Sequence, residues 1–461
     1  MQTQTMPETN GPELRRVLAS RHVSMISIGG IIGAGLFVFS SAAIEAAGPA
    51  IVISYFLAGV LLLLIMRMLG EMALALPRLR SLSDLAGAGL GHWAGFVIGW
   101  LYWYFWIIVV PVEAIAGARL LHLWIPVQEW LLGVGLMVIM TGVNLLSARS
   151  YGEFEFWFAL IKVTAIVAFI IVAAAWAFGL TSHGVPTWSN LVSHGGFAPR
   201  GRLAVLAGVT TVFFAMTGAE ITVVAAAESQ EPARAVARMS TTVALRILTF
   251  YVLSILLITA VVPWQQVVPG ESPFTLAMQV MHFTWAKTAM TIIILTAVLS
   301  CLNSAYYVTS RMLFALAARG DAPAALVKLN ARGVPVRSVL MGSAAGLAGI
   351  AAATISPEVV FKFLVSASGA LVVFIYLLIA IAQIRLRRAR NPAEQQALAV
   401  QMWWFPTASY VAIAGMLVVL VAMARTPAML NEFYVSTASF VVALLAAWLH
   451  GRWRRARSAN V

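Results

Sequence analysis

The sequence predicts an all-α protein that crosses a membrane about twelve times, with its first and sixth helices broken in mid-membrane. Three observations predict it. Of 461 residues, 61% are hydrophobic and only 10% charged, with a mean hydropathy of +0.91, a balance foreign to soluble globular domains. The apolar residues gather in about a dozen runs, each near the roughly 20 residues that a helix needs to cross hydrocarbon. Two of these runs carry glycine deep inside, SMISIGGIIGAGLFVF at 24–39 and MTGAE at 216–220.

The first run sets the expectation for all the others. Gly29, Gly30, Gly33 and Gly35 fall within a few turns, and each costs a helix roughly 1 kcal/mol relative to alanine. A break is expected across 31–35. Irregular backbone survives in a bilayer only where protein buries it or it lines a water-filled cavity, so the break is expected to be a binding site. The amides that open the second half, at Gly33, Ala34 and Gly35 beside Ile31, would face an anion; the carbonyls that end the first half would face a cation. A zwitterion suits that pair.

The spans are placed at 23–46, 50–75, 93–121, 130–146, 154–178 and 203–227, then 243–262, 286–316, 339–353, 359–384, 405–423 and 433–449. With five spans per unit, the first and sixth become counterparts of opposite orientation. Interruptions at matching places in two halves point to a secondary-transporter site. Small residues that only allow close helix packing are the plainer alternative for either one. Around the second break lie Phe214, Ala215, Met216, Thr217 and Gly218. The expected organisation is a tail at 1–21, a first repeat at 22–200, a second at 201–390, two further helices at 391–450 and a basic tail at 451–461.

The net charge of +13 does not indicate nucleic acid, because the arginines lie in short clusters between apolar spans and not on one amphipathic face. They read as topology signals. Arg15, Arg16 and Arg21 precede span one, and Arg78, Arg80, Arg149, Arg234, Arg238 and the clusters at 319–337, 385–390 and 452–457 share that side. By the positive-inside rule that side is cytoplasmic, and both termini with it. The first twenty residues lack the apolar core and cleavage site of a signal peptide, so span one itself is expected to direct insertion. Cys301 is the only cysteine, which leaves no intrachain disulfide and no cysteine-rich metal site. No nucleophile with its base, no metal-ligand motif and no phosphate loop is recognisable, so catalysis is not expected and no cofactor or metal is called for.

Charges inside spans are costly and usually functional. Arg67 and Glu71 have the spacing of an intrahelical pair, and Glu153 and Glu155 the place of acids that complement a helix N-terminus. Glu228 and Glu231 sit among arginines at the end of span six and could latch an inner gate. Glu113 stands in the apolar run YFWIIVVPVEAIAG with no partner within a helical turn; it needs one from another helix, or a proton. Glu220 follows the second break and either ties the unwound segment by accepting amide bonds or senses protons. Lys162 lies roughly 12 Å along span five at 1.5 Å per residue, too deep to snorkel, and burial among Phe158, Ile161, Ile166 and Val167 disfavours its ammonium. Trp100, Trp103 and Trp106 read as packing or an interfacial belt. Asn303 and Ser304 on span eight, and Ser366 and Ser368 on span ten, either line the cavity or join helices.

The segments IGGIIGAGLF, EAAGPA, MRMLGEMALALP, WLYWYFWIIVVPVEA, YGEFEFW, MTGAEITVVAAAES and SCLNSAYYVTSRMLFALAARGDAP resemble the amino acid permeases of the amino acid, polyamine and organocation superfamily. Within it the chain is most similar to bacterial 4-aminobutyrate permeases. The resemblance runs from His22 to Arg388; it departs in the loop after span two, where SLSDLAGAGLGHW replaces the usual serine- and threonine-rich run. It implies a leucine-transporter-type five-plus-five inverted repeat with two added helices, in a bacterial-type cytoplasmic (inner) membrane. It also implies symport of a small zwitterionic amino acid with protons, with the proton as coupling ion. Phe214 would cover the bound substrate. Lys162 would stand near the unwound first span, in the place sodium occupies in sodium-driven transporters. Membrane lipid is the other expected partner. Permeation of another neutral amino acid and amino acid exchange stay open as alternatives. A nontransporting sensor would be expected to carry a long signalling tail, where here only GRWRRARSANV follows the last span.

Overall fold

The computed structural model describes residues 18–458 except 30, 31, 34, 78, 80, 182–184, 228–241, 243–245, 284 and 356–369. Every regular element among them is a helix. Nine of these are long and apolar enough to cross a membrane. Span one runs as Ser20–Gly29, stops, and resumes in a π-helical turn, Gly35–Phe39, that leads into Ser40–Ala47. Span two is Ile51–Ala75, three His92–His122, four Glu129–Leu146 and five Ala148–Ala177. Span six runs as Gly201–Met216 and Ile221–Ala227. Span seven joins a π-helical stretch, Ile247–Leu253, to Ser254–Val261. Spans eight to twelve are Ala286–Ala318, Val336–Ile355, Leu371–Arg388, Thr407–Ala424 and Leu430–Ser458, the part of span ten before 370 lying outside the described residues.

The two broken spans lie side by side and antiparallel. The first half of span one packs on the second half of span six, and the turn that opens its second half packs on the first half of span six. That pairing brings both interruptions together, as an inverted repeat requires. Span three, 83% buried over its most apolar window, is the interior strut, whereas span twelve, 17% buried, lies at the periphery. Span eight packs along spans three and five, and span one along span five. Val138, Ile139, Ile171, Val442 and Leu445 are more than half exposed on spans four, five and twelve. A face of that kind suits hydrocarbon, where exposed apolar side chains carry no penalty.

Two sequence expectations are corrected here. Span five starts six residues earlier than expected, because Ser147 caps it by accepting from the Ser150 amide at 3.0 Å. Glu153 and Glu155 therefore sit beyond its first turn; Glu153 instead binds Arg21 at 2.6 Å and His22 at 3.0 Å. Glu71 does not bond to Arg67. It accepts from Arg387 at 2.9 Å, from Gln383 at 3.3 Å and from the Met402 amide. Arg67 donates to the Gln401 carbonyl at 2.6 Å and lies 3.9 Å over Trp403. These contacts join span two to span ten and to the segment before span eleven, where a sequence-local pair would have joined nothing.

Candidate functional site

At the gap in span one Gly29 O takes only a tight-turn amide, that of Ile32 at 3.0 Å, and Lys162 reaches the carbonyls there from span five. Its ammonium donates to Gly29 O at 2.8 Å, to Ile32 O at 2.7 Å and to Ser300 Oγ at 2.7 Å. An ammonium has three protons, so its donors are fully used. Ser300 passes the link on, donating to Glu155 Oε1 at 2.6 Å, and that oxygen lies 3.7 Å from the ammonium. Lys162 and Glu155 are both fully buried. Ser304 approaches the other Glu155 oxygen at 3.5 Å and pairs with Tyr151 at 3.2 Å. Gly29 permits this closeness: a Cβ there would fall 2.6 Å from Ala159 Cβ and 2.7 Å from Glu155 Oε1.

Span six breaks differently. Thr217 turns to an extended conformation, and Gly218 has a φ of 122°, a region that side chains with a Cβ rarely adopt. Glu220 ties the turn. Its carboxylate accepts from the Gly218 amide at 3.2 and 3.3 Å, from Tyr102 of span three at 3.2 Å and from Tyr376 of span ten at 2.9 Å. Tyr251 of span seven donates to Ala215 O at 3.0 Å, at the end of the first half-helix.

Between the two breaks lies a narrow cavity lined by Gly33, Gly35, Phe105, Trp106, Val109, Glu113, Phe214, Ala215, Thr217 and Cys301. Among the described residues Glu113 is the only charged group in that lining, and its buried Oε2 has no hydrogen-bond partner. Phe214 packs edge-on against Phe39 and Phe105, at 5.6 and 6.0 Å.

Six of the expected substrate residues thus converge: Gly33, Gly35, Glu113, Phe214, Ala215 and Thr217. Ile31, Ala34 and Ser366 lie outside the described residues, as do Ser368, Glu228 and Glu231. Met216 is fully buried and not in the lining, and the Gly218 amide is turned to Glu220. Asn303 is turned away as well, accepting from Asn144 of span four at 3.0 Å. It joins helices. The surroundings expected for Lys162 are corrected too, since Ile161 and Val167 are exposed on the outer face; a helix cannot put 161, 162 and 167 on one side. Sequence reasoning misses Phe105, Trp106 and Val109, although they precede Glu113 by one and two turns on the same face. It also takes Glu155 for a helix-end acid, although that residue lies two turns before Lys162.

Paired broken spans that cross around a small, nearly apolar cavity define a membrane transporter of the inverted-repeat kind. The chain belongs to the amino acid permease family, whose sequence pattern matches residues 22–460. It is 43% identical to the gamma-aminobutyric acid permease of Bacillus subtilis over 425 residues, 92% of this chain and 91% of that one. To the gamma-aminobutyric acid permease of Escherichia coli K12 it is 42% identical over 449 residues, 96% of each chain. A probable GABA permease of Pseudomonas aeruginosa is 42% identical over 97% of this chain and 95% of its own. In three dimensions the chain is similar to a point mutant of the Eremococcus coleocola manganese transporter, with a TM-score of 0.60 over 98% of this chain and 99% of that one. At 13% identity that likeness concerns the fold alone.

Proposed function

We propose that this permease imports 4-aminobutyrate, or a closely related small zwitterion, by proton symport with alternating access. The observation that carries the coupling is the fully buried Lys162, whose ammonium holds Gly29 O and Ile32 O at the break in span one. Loss of its proton would release those carbonyls and free span one to shift, so protonation and cavity exposure are linked. Glu113 receives the substrate ammonium. Backbone amides near Gly33 and Gly35 receive its carboxylate, and Phe214 covers it. A lining with one acid and no arginine or lysine suits a neutral zwitterion better than an amino acid with a further charge, which would need its own buried partner. The names of the relatives support the same substrate. The protein acts in a bacterial cytoplasmic membrane with both termini inside.

The test is uptake of labelled 4-aminobutyrate by vesicles reconstituted with the purified chain, with and without an inward proton gradient, competed by a panel of α- and ω-amino acids. Accumulation that requires the gradient and is best blocked by ω-amino acids is expected. Uptake only into vesicles preloaded with amino acid would make the protein an exchanger, and competition only by large aromatic amino acids would move the substrate.

A further inference from the structure

Away from the cavity, the start of span three, the turn after span eight and the end of span twelve bring three metal-ligating side chains together. We propose that His92, Asp321 and His450 form a zinc site. His92 Nε2 lies 2.8 Å from Asp321 Oδ1, and His450 Nε2 lies 3.4 Å from the same oxygen. All three ligand atoms fall within 4.8 Å of one another. A tetrahedral zinc with bonds of roughly 2.0–2.2 Å holds its ligand atoms about 3.4 Å apart, so only a small adjustment closes the set.

Several polar atoms here lack hydrogen bonds. The Asp321 side chain is fully buried, and neither of its oxygens has a hydrogen-bond partner of good geometry; nor has His450 Nε2. Arg319 lies 3.2 Å from Oδ2, while Oδ1 faces both histidines with Arg454 Nη1 farther off at 3.9 Å. Arg454 Nη1 stands 2.7 Å from His92 Nε2. A guanidinium only donates, so in that contact the imidazole nitrogen offers its lone pair. The same nitrogen lies 2.8 Å from Asp321 Oδ1, so it faces a donor and an acceptor at once and can satisfy only one of them. The two imidazoles are near-parallel, at 19°, and Phe96 stacks on His450 at 5.2 Å, so packing orients both rings. Two imidazoles and one carboxylate suit zinc, whereas calcium and magnesium prefer oxygen-only sets.

His92 is 42% exposed, which gives an ion entry, and Arg454 is 47% exposed, which lets it swing away. Arg454 is thus the competitor of the metal. Bound zinc would staple the peripheral span twelve to the turn after span eight, independently of what the cavity carries.

The experiment titrates zinc alone into the tag-free, chelator-stripped full chain in detergent, against a fluorescent zinc indicator. One saturable equivalent is expected, with affinity at least about tenfold weaker in His92→Ala and in His450→Ala. Arg454→Ala should tighten binding by about tenfold, because it removes a positive charge within a few ångströms of the ion. Cobalt in place of zinc should give the intense visible absorption of a tetrahedral site in the wild type and not in His450→Ala. His92 and Arg454 are 42% and 47% exposed and His450 is 19% exposed, so these variants avoid the fully buried Asp321. No stoichiometric zinc in the wild type, or unchanged affinity in both histidine variants, overturns the site. Unchanged affinity in Arg454→Ala would also overturn it, since the geometry makes that side chain the competitor.

Discussion

Lys162 and Glu155 stand two turns apart on one face of span five, 3.7 Å from nitrogen to oxygen, with the Ser300 hydroxyl bridging them from span eight. The same ammonium holds the carbonyl that ends the first half of span one and a carbonyl inside the break. One charged pair therefore connects spans one, five and eight, so a change of protonation there acts on all three at once.

We predict that Lys162→Gln keeps substrate binding and exchange but loses accumulation driven by a proton gradient. Its amide can still donate to Gly29 O or Ile32 O, which preserves the local fold, yet it binds no proton. Counterflow and gradient-driven uptake in the same vesicles separate the two activities. Wild-type accumulation in this variant would rule out coupling through Lys162, and loss of counterflow as well would make the residue structural.

A second prediction concerns stability. Removal of one partner of a buried pair leaves an uncompensated charge and costs about 3–5 kcal/mol, whereas replacement of both by apolar groups is often near neutral. Glu155→Leu should therefore unfold much more readily than the wild type in detergent. The double variant Lys162→Met/Glu155→Leu should recover more than half of that loss while remaining inactive in gradient-driven uptake. Additive losses in the thermal unfolding of the double variant would show that the two charges do not interact.

The spans, both breaks and the depth of Lys162 are legible in the sequence because each leaves a local mark: an apolar run, a glycine where a helix disfavours one, a charge far from either end of a span. The partners are not. Glu155 and Ser300 are 145 residues apart in the chain, and Glu71 finds Arg387 at a separation of 316; no local pattern encodes which distant helix face meets which. Locality in fact misleads twice. Arg67 and Glu71 have the spacing of a pair and choose other partners, and Glu155 has the place of a helix-end acid while the helix begins six residues earlier than its pattern suggests. Asn303 shows the same limit, since a polar residue on an interior span has the same signature whether it faces the cavity or span four.

Close approach of spans one and six depends on Gly35, where a Cβ would fall 2.6 Å from Ala215 Cα and 3.1 Å from its carbonyl oxygen. Backbone atoms cannot rotate away, so Gly35→Ala must part the two broken spans. We predict a loss of uptake of at least about tenfold, the effect of roughly 1.4 kcal/mol on binding or on the barrier, with insertion and yield retained. Gly142→Ala, which meets no atom within 4 Å, should transport normally and serves as control. Unimpaired uptake in Gly35→Ala would show that the spans separate freely at this point.

We predict that Glu113 decides which zwitterion binds. It is the one charged group in the cavity lining, and its Oε2 is buried without a hydrogen-bond partner, an arrangement that costs free energy until a donor arrives. A substrate ammonium is such a donor. Hydrogen bonds to charged groups contribute about 1.5–3 kcal/mol, so Glu113→Gln, which keeps the shape and removes the charge, should raise the KM for 4-aminobutyrate about 10- to 150-fold. The effect should be specific to the amine. Butyrate, which has the carboxylate but no ammonium, should compete weakly with the wild type, and its relative potency should rise in the variant as 4-aminobutyrate loses its advantage. Competition curves for both compounds, measured on wild type and Glu113→Gln at several pH values, check this. If KM, selectivity and pH dependence all match the wild type, Glu113 serves packing within span three and the substrate amine is held elsewhere.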